Sequence, residues 1–584
     1  MSIGAHILAY LKAFAQRYSP GDPRYEVFVE TTKHALWFLA PSTKFEYYAS
    51  LMEGGADVPW SDWIVPLVSQ SIFFLINALF TAFLAGLCYY SFVVIEKLPF
   101  PLQLPIAANI DVVTGVDTDK LIKRRWLLIG FIIGFLIEFP HLYPYLNPAS
   151  RLSPIRVMKG FSRYFASWMP LVATFDIFAI AFSALLPVDI SFTGIVTYLI
   201  FYIILPAIFT SMGLYPPPRT GRDWMAIWRR QLKSGLLPEK YGSYSVFFTG
   251  VVFGLAFWTL YMHRDYIRTI FASLLSKETV KTIKEHEGFS LRSLTIGAII
   301  TGIALICFWI ILGIDLGMAL FYILFYVMLY LGLTRWKADS GAILGRVNVG
   351  NSFTEAIGSQ YILATGGDMK STRSIIGACL GGYYGWYNSN SLPIFTGLEA
   401  FKLGETTRTR PKDIFLAIII PWFFVPLLSN ATVLYFSYKL GLKRAAHWGV
   451  ASDHHCFDAA KWVNSIESRH TWDSLFVNPG PSLYTMFFVG LILSVAIMFA
   501  RTRWPGVILH PSGFLMGIAA PFWVVPFAIG LAIKLIILKV GGARMHNNIL
   551  PPFAMGTLAA MGLIWILSII FALTTQYPFG FVSW

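Results

Sequence analysis

A chain of 584 residues with 56% hydrophobic, 16% aromatic and only 13% charged residues has too little polar surface for a water-soluble globule, and its mean hydropathy of +0.61 agrees; the bilayer is its solvent. The formal charge of +14 is spread over loops whose lysines and arginines can anchor membrane spans, which excludes nucleic acid as a partner. Cys88, Cys307, Cys379 and Cys456 show no paired spacing, so no disulfide framework or zinc ribbon is expected.

The segment 1–63 carries charges throughout and no apolar stretch of the signal-peptide kind; it is expected to lie outside the membrane or at its surface. Beyond it, about eleven apolar stretches between Ile64 and Phe571 are long enough to cross a bilayer. The expected fold is an all-α, polytopic membrane helical bundle with broken or re-entrant segments. A first membrane part covers 64–262. It opens with a long span from Ile64 to Val94, stopped by the proline-rich run Glu96 to Pro105. Lys123-Arg124-Arg125 then reads as the cytoplasmic flank of a span from Trp126 to about Tyr143. Two spans near Phe165 to Leu186 and Ser191 to Gly213 look like a tight hairpin about Pro187, and another runs from about Ser245 to Tyr261.

Residues 263–292 form an interfacial linker. Ile267, Ile270, Phe271, Leu274 and Leu275 recur at three and four, interspersed with Arg264, Arg268 and Lys277, the pattern of an amphipathic helix lying on the membrane. The second membrane part, 293–584, starts with a close pair, Leu294 to Gly313 and Leu316 to Leu333. A glycine-rich region near 336–411 follows, in which only Ile375 to Tyr387 is apolar. That run is too short to span, and with its glycines it is expected to be a half-helix or re-entrant loop. Later spans are expected near Ile414 to Tyr438, Leu483 to Phe499, Ile508 to Leu538 and Phe553 to Phe571.

Within these spans sit the candidate chemical groups. Glu138 and Asp176 are intramembrane acids, each either a proton-coupling carboxylate or, respectively, an acid reaching water at the span end and a helix-packing hydrogen bond. Asp315, between two apolar runs, is expected to cap a helix, and Lys534 to reach the interface. The loop residues His447, Asp453, His454, His455, Cys456 and His470 fit no closed tetrahedral spacing, so no metal site is expected there; no cofactor motif is present. With no phosphate-cradling loop in the sequence, a gradient-driven process is the simpler expectation than a primary pump.

Several stretches together resemble the oligopeptide transporter superfamily, closest to its prokaryotic oligopeptide-transporter-like branch. They are Glu96-Lys97-Leu98-Pro99-Phe100-Pro101 after the first span, Ala338-Asp339-Ser340-Gly341, Leu392-Pro393 with Leu398-Glu399-Ala400-Phe401-Lys402, His510-Pro511-Ser512-Gly513, and Lys534 with Gly541-Gly542. The resemblance implies a multi-pass cell-membrane transporter, not an enzyme, that moves peptides or metal chelates with protons by alternating access. A substrate site would be lined by Gly381, Gly382 and Tyr384 and by Glu399 and Lys402, with Glu138 or Asp176 coupling protons. Being three apart, Glu399 and Lys402 could clamp the two ends of a zwitterion or simply pair with each other. Members of that branch carry further spans ahead of a region like Pro41 to Pro66. Those helices are therefore dispensable or supplied by a small membrane subunit, and association between copies of the chain is a further expectation. The rival readings are a structural subunit of a larger membrane complex and an intramembrane lipid-processing enzyme.

Overall fold

Each apolar run closes its backbone hydrogen bonds internally because lipid offers none, and the described residues are accordingly almost all helical. The computed structural model describes residues 35–39, nearly all of 50–114, 120–142, 157–158, 173–174, 177–205, 244–275, 290–341, 392–441, 481–519 and 523–575, with a few isolated positions. Among the described residues, beyond a single turn at Leu36–Leu39, the α-helices are α1 (Trp60–Tyr89), α2 (Gln103–Thr114), α3 (Lys120–Glu138), α4 (Ile177–Leu185), α5 (Val188–Tyr198), α6 (Tyr244–Met262), α7 (Arg264–Leu275), α8 (Leu291–Ile311), α9 (Leu316–Ser340), α10 (Pro393–Thr407), α11 (Pro411–Ile419), α12 (Val425–Leu440), α13 (Pro481–Arg503), α14 (Pro511–Ala519) and α15 (Val524–Thr575). A two-residue antiparallel pair, Val157–Met158 with Ala173–Thr174, is the extended structure among the described residues.

Among the described residues, six helical stretches are long and apolar enough to cross a membrane: Trp60–Ile95, Leu291–Ile311, Leu316–Ser340, Pro411–Leu440, Thr485–Arg503 and Val524–Ser568. Ile420, Phe424 and Leu428 on the fourth and Leu535, Ile536 and Ile566 on the sixth point outward, as faces solvated by lipid do. The protein is thus an all-α, polytopic membrane bundle. One core runs through both membrane parts, joining Phe73 and Phe248 to Trp309, Leu329, Phe395 and Leu515.

Breaks interrupt this bundle where the sequence places glycine and proline. The first span passes into a π-helical turn at Tyr90–Ile95 before the proline run. Pro187 makes a corner rather than a packed hairpin: α4 lies along α15, while α5 lies chiefly along α14. The expected span from Ile508 to Leu538 is represented by α14 and the start of α15, on either side of residues 520–522, which lie outside the described ones. Gly542, at φ 63° and ψ −165°, breaks α15 beyond Lys534. Asp315 caps α9 by accepting the Met318 amide at 3.1 Å, as expected. The interfacial helix is α7; its Tyr266 hydroxyl donates to the Leu87 carbonyl, while Phe271 and Leu275 face outward.

The ends of the first span and of α12 meet on the opposite side from α7. There the Gly55 and Ala56 amides donate to the Lys439 and Tyr438 carbonyls, and the Trp63 indole donates to the Tyr438 hydroxyl at 2.9 Å. Lys439 also pairs with the exposed Asp57 and holds that carboxyl below its usual range.

Candidate functional site

The last two turns of α9 are buried although they carry three charges. The apolar pattern fades after Leu333, yet Thr334 to Ser340 continue the helix, and Gly341, in the left-handed region at φ 59°, closes it by donating to the Lys337 carbonyl. Arg335, Lys337 and Asp339 are each less than a tenth exposed. Charges so placed persist only with partners, and each has one.

Arg335 lies between two carboxylates. Its Nη1 is in ion-pair contact with Glu96 Oε2, and its Nε is 3.4 Å from Asp339 Oδ2. The Phe92 ring covers the guanidinium at 5.9 Å. Glu96 follows the π-helical turn, in a backbone that is bent sharply: Lys97 and Phe100 are non-glycine residues at φ 52° and 41°. Such conformations persist where surrounding bonds fix them, and here the Phe100 amide donates to the Ala338 carbonyl at 2.9 Å, tying this turn to the end of α9. The other oxygen of Glu96, Oε1, lies 3.2 Å from His263 Nε2 at the junction of α6 and α7.

On the far side, Asp339 Oδ2 accepts from the Ser512 hydroxyl at 2.8 Å and faces His510 Nε2 at 3.9 Å. His510 precedes Pro511, the first residue of α14; its Nδ1 accepts the Ser512 amide at 3.0 Å, so the ring itself satisfies an orphan donor of that helix. The His510 amide in turn donates to Thr193 Oγ1, and the Trp336 indole donates to the Ser512 carbonyl. Asp189, at the start of α5, pairs with Arg501 at 2.7 Å within electrostatic reach of the same imidazole. Lys337 pairs with Glu399 of α10 at 3.0 Å. The resulting cluster ties together the ends of α1, α6 and α9, the middle of α10 and the start of α14.

Removing the Ser512 hydroxyl will weaken this arrangement measurably. A hydrogen bond to a buried charge contributes about 1.5–3 kcal/mol, so Ser512→Ala is expected to lower the thermal midpoint of the detergent-solubilised protein. An unchanged midpoint would mean that the Asp339 carboxylate does not depend on that donor.

The sequence-derived candidates fall unevenly around this cluster. Glu399 and Lys402 do not pair with each other. Glu399 takes Lys337 as its partner and Lys402 takes Glu405, because a helix presents i and i+3 side by side but lets each turn to a nearer or more buried opposite charge. Glu138 is buried at the end of α3, four residues past Gly134 on the stripe that packs against α15. Asp176, Gly381, Gly382 and Tyr384 lie outside the described residues, as do the loop histidines. Lys534 forms no ion pair among the described residues and does not reach outward; its ammonium donates to the Leu185 and Leu186 carbonyls at the broken end of α4. Among the described residues no group of three or more His, Cys, Asp or Glu side chains could hold a metal ion.

Four of the five stretches that carry the family resemblance contribute directly to the cluster: Glu96, Asp339, Glu399, and His510 with Ser512. Comparison with family models supplies the grouping. A model described as a family of unknown function, DUF6785, matches residues 7–580. The chain belongs to the DUF6785 family. None of the curated proteins compared with it matches. In this DUF6785 protein, sequence reasoning overlooked Arg335, Lys337 and His263. The available signal for the first two was Gly341: a glycine just past Arg335-Trp336-Lys337-Ala338-Asp339-Ser340 marks a helix end there and places Arg335 and Asp339 four apart on one face.

Proposed function

We propose that the protein is a secondary active transporter that takes up small peptides or metal chelates together with protons by alternating access. The reading is carried by the buried charge cluster of Glu96, His263, Arg335, Asp339 and His510, tied across the ends of helices that must otherwise face lipid or one another. Ionisable groups inside membrane bundles are costly and concentrate along ion and substrate paths. The break between α4 and α5 and the one at Gly542 in α15 support the same reading, since discontinuous helices whose ends meet polar groups are the usual frame of a transporter's site. The glycine-rich segment with Gly381, Gly382 and Tyr384 joins α9 to α10, the two helices linked by Lys337 and Glu399, and is the proposed substrate-contacting stretch.

Uptake into proteoliposomes tests this. Purified protein is offered a mixed pool of short peptides and metal chelates, with and without an inward proton gradient. Accumulation that depends on the gradient is the expected result. Absence of both uptake and exchange would overturn the transport reading and favour a structural subunit of a larger membrane complex.

A further inference from the structure

The two histidines of the cluster hold their protons differently, and bond geometry alone distinguishes them. His510 accepts the Ser512 amide on Nδ1, so a neutral ring with its hydrogen on Nε2, toward Asp339, satisfies every contact it makes. His263 has the reverse arrangement. Its Nδ1 lies 2.9 Å from the Thr259 carbonyl oxygen, which can only accept, so Nδ1 carries a hydrogen. Its Nε2 lies 3.2 Å from Glu96 Oε1, and an ionised carboxylate can also only accept. A neutral imidazole has a single N–H, already committed to Thr259. The contact with Glu96 therefore requires one more proton, on the ring or on the carboxyl.

The charge balance of the cluster points the same way. Glu96 and Asp339 share one guanidinium, that of Arg335, while Lys337 is matched by Glu399. Without a further proton one negative charge is left over in a buried setting; with it the cluster is neutral. A metal cation is a poor substitute. Glu96 already offers its two oxygens to His263 and Arg335, and an alkali or alkaline-earth ion needs several free oxygens around it.

We propose that His263 and Glu96 form the proton-binding site of this protein, holding one exchangeable proton between Nε2 and Oε1. On loading, a proton from water enters the bridge and the cluster goes from one net negative charge to none; on release the proton returns to water and Glu96 stays paired with Arg335 through Oε2. Glu96, 18% exposed at its side chain, is the member through which water is reached. Among the described residues, the other charged groups facing the pair are Arg335 and, behind it, Asp339 from α9. Of the neighbouring titratable groups, Arg264 lies over the Tyr261 ring, and Tyr266 is committed to the Leu87 carbonyl. Because His263 ends α6 and Glu96 ends the first span, the proton fastens these helix ends together, and its departure removes that fastening. The use of the site in coupling rests on the transport reading; the presence of the proton does not.

Two experiments separate these parts. Solid-state nitrogen NMR of histidine-labelled protein in bilayers, with His263→Gln to assign the ring, is expected to show Nδ1 protonated and Nε2 either protonated or in a strong hydrogen bond to an acid. In Glu96→Gln that extra proton is lost and the ring becomes neutral, with Nε2 accepting from the amide; this shift also makes the assignment if the His263 variant does not fold. A His263 ring that carries hydrogen only on Nε2, or whose Nε2 lacks any hydrogen bond, overturns the proposal. In proteoliposomes, His263→Gln and Glu96→Gln are expected to retain substrate counterflow while gradient-driven accumulation falls to the gradient-free level. Accumulation equal to wild type in both variants would overturn the coupling role while leaving the transporter reading standing. A wild-type protein that neither accumulates nor exchanges substrate would remove the transport reading and with it the coupling role, and the NMR result would still decide whether the proton is there.

Discussion

Replacing Arg335 by methionine is expected to destabilise the protein by about 3–5 kcal/mol, the range for removing one partner of a buried ion pair. The chain length and packing of methionine approximate those of the arginine stem, so the loss measures the charge rather than a cavity. Glu96 and Asp339 would be left facing one another's field with no guanidinium between them. Against a total stability of about 5–15 kcal/mol for a folded domain, this is a large fraction. Arg335→Lys should fall between wild type and methionine, because one ammonium cannot engage two carboxylates as the guanidinium fork does. The comparison is internal: Arg268, whose pair with Asp265 is exposed on α7, should tolerate methionine with a change within about 0.5 kcal/mol. If the charge is the cause, adding Glu96→Gln and Asp339→Asn to Arg335→Met should recover part of the loss. The readout is the thermal midpoint and the monodisperse fraction after heating; equal effects at Arg335 and Arg268 would refute the argument.

The architecture was legible in the sequence wherever one helix could be judged by itself. Apolar length located the first span, most of the Leu291–Ile311 and Leu316–Ser340 pair and the spans over Pro411–Leu440 and Thr485–Arg503, whereas the stretch Val524–Ser568 is shared between two expected spans. Local chemistry identified the Asp315 cap and the breaks near Pro187 and Gly542. What periodicity could not supply was the meeting of Glu96, His263, Arg335 and Ser512, which lie on four different elements and share no local pattern. The end of α9 also misled for a physical reason. Hydropathy falls after Leu333 because the helix exchanges lipid and core for a polar interior, and a window tuned to apolar length stops there although the helix runs to Ser340. The motif residues Glu96, Asp339 and His510 were singled out by resemblance rather than by chemistry, and only the three-dimensional arrangement gives them a shared electrostatic task. Intramembrane acids chosen for depth alone behave differently: Glu138 falls on the seam between α3 and α15 instead.

The position of His263 depends on how closely α6 can approach its neighbours, and glycine decides that. Helices α6 and α13 run parallel with backbones in contact, since a Cβ at Gly250 would sit 2.0 Å from the Phe487 carbonyl oxygen and one at Gly490 would sit 2.3 Å from that of Phe247. Close approach of this kind replaces the hydrophobic drive that lipid removes. Even alanine at Gly250 must push the helices apart, because the opposing atom is backbone and cannot rotate away. The expected cost of Gly250→Ala is about 1–3 kcal/mol, the range for overpacking, and Gly250→Leu should prevent recovery of folded protein. The sign reverses where nothing opposes the new atom. Gly562, exposed on α15, has no heavy atom of the described residues within 4 Å of where a Cβ would sit, so Gly562→Ala should gain up to about 1 kcal/mol from helix propensity. Opposite shifts of the melting midpoint at Gly250 and Gly562 would show that contact, rather than glycine content, sets the stability of the seam between α6 and α13; shifts of the same sign would show that it does not.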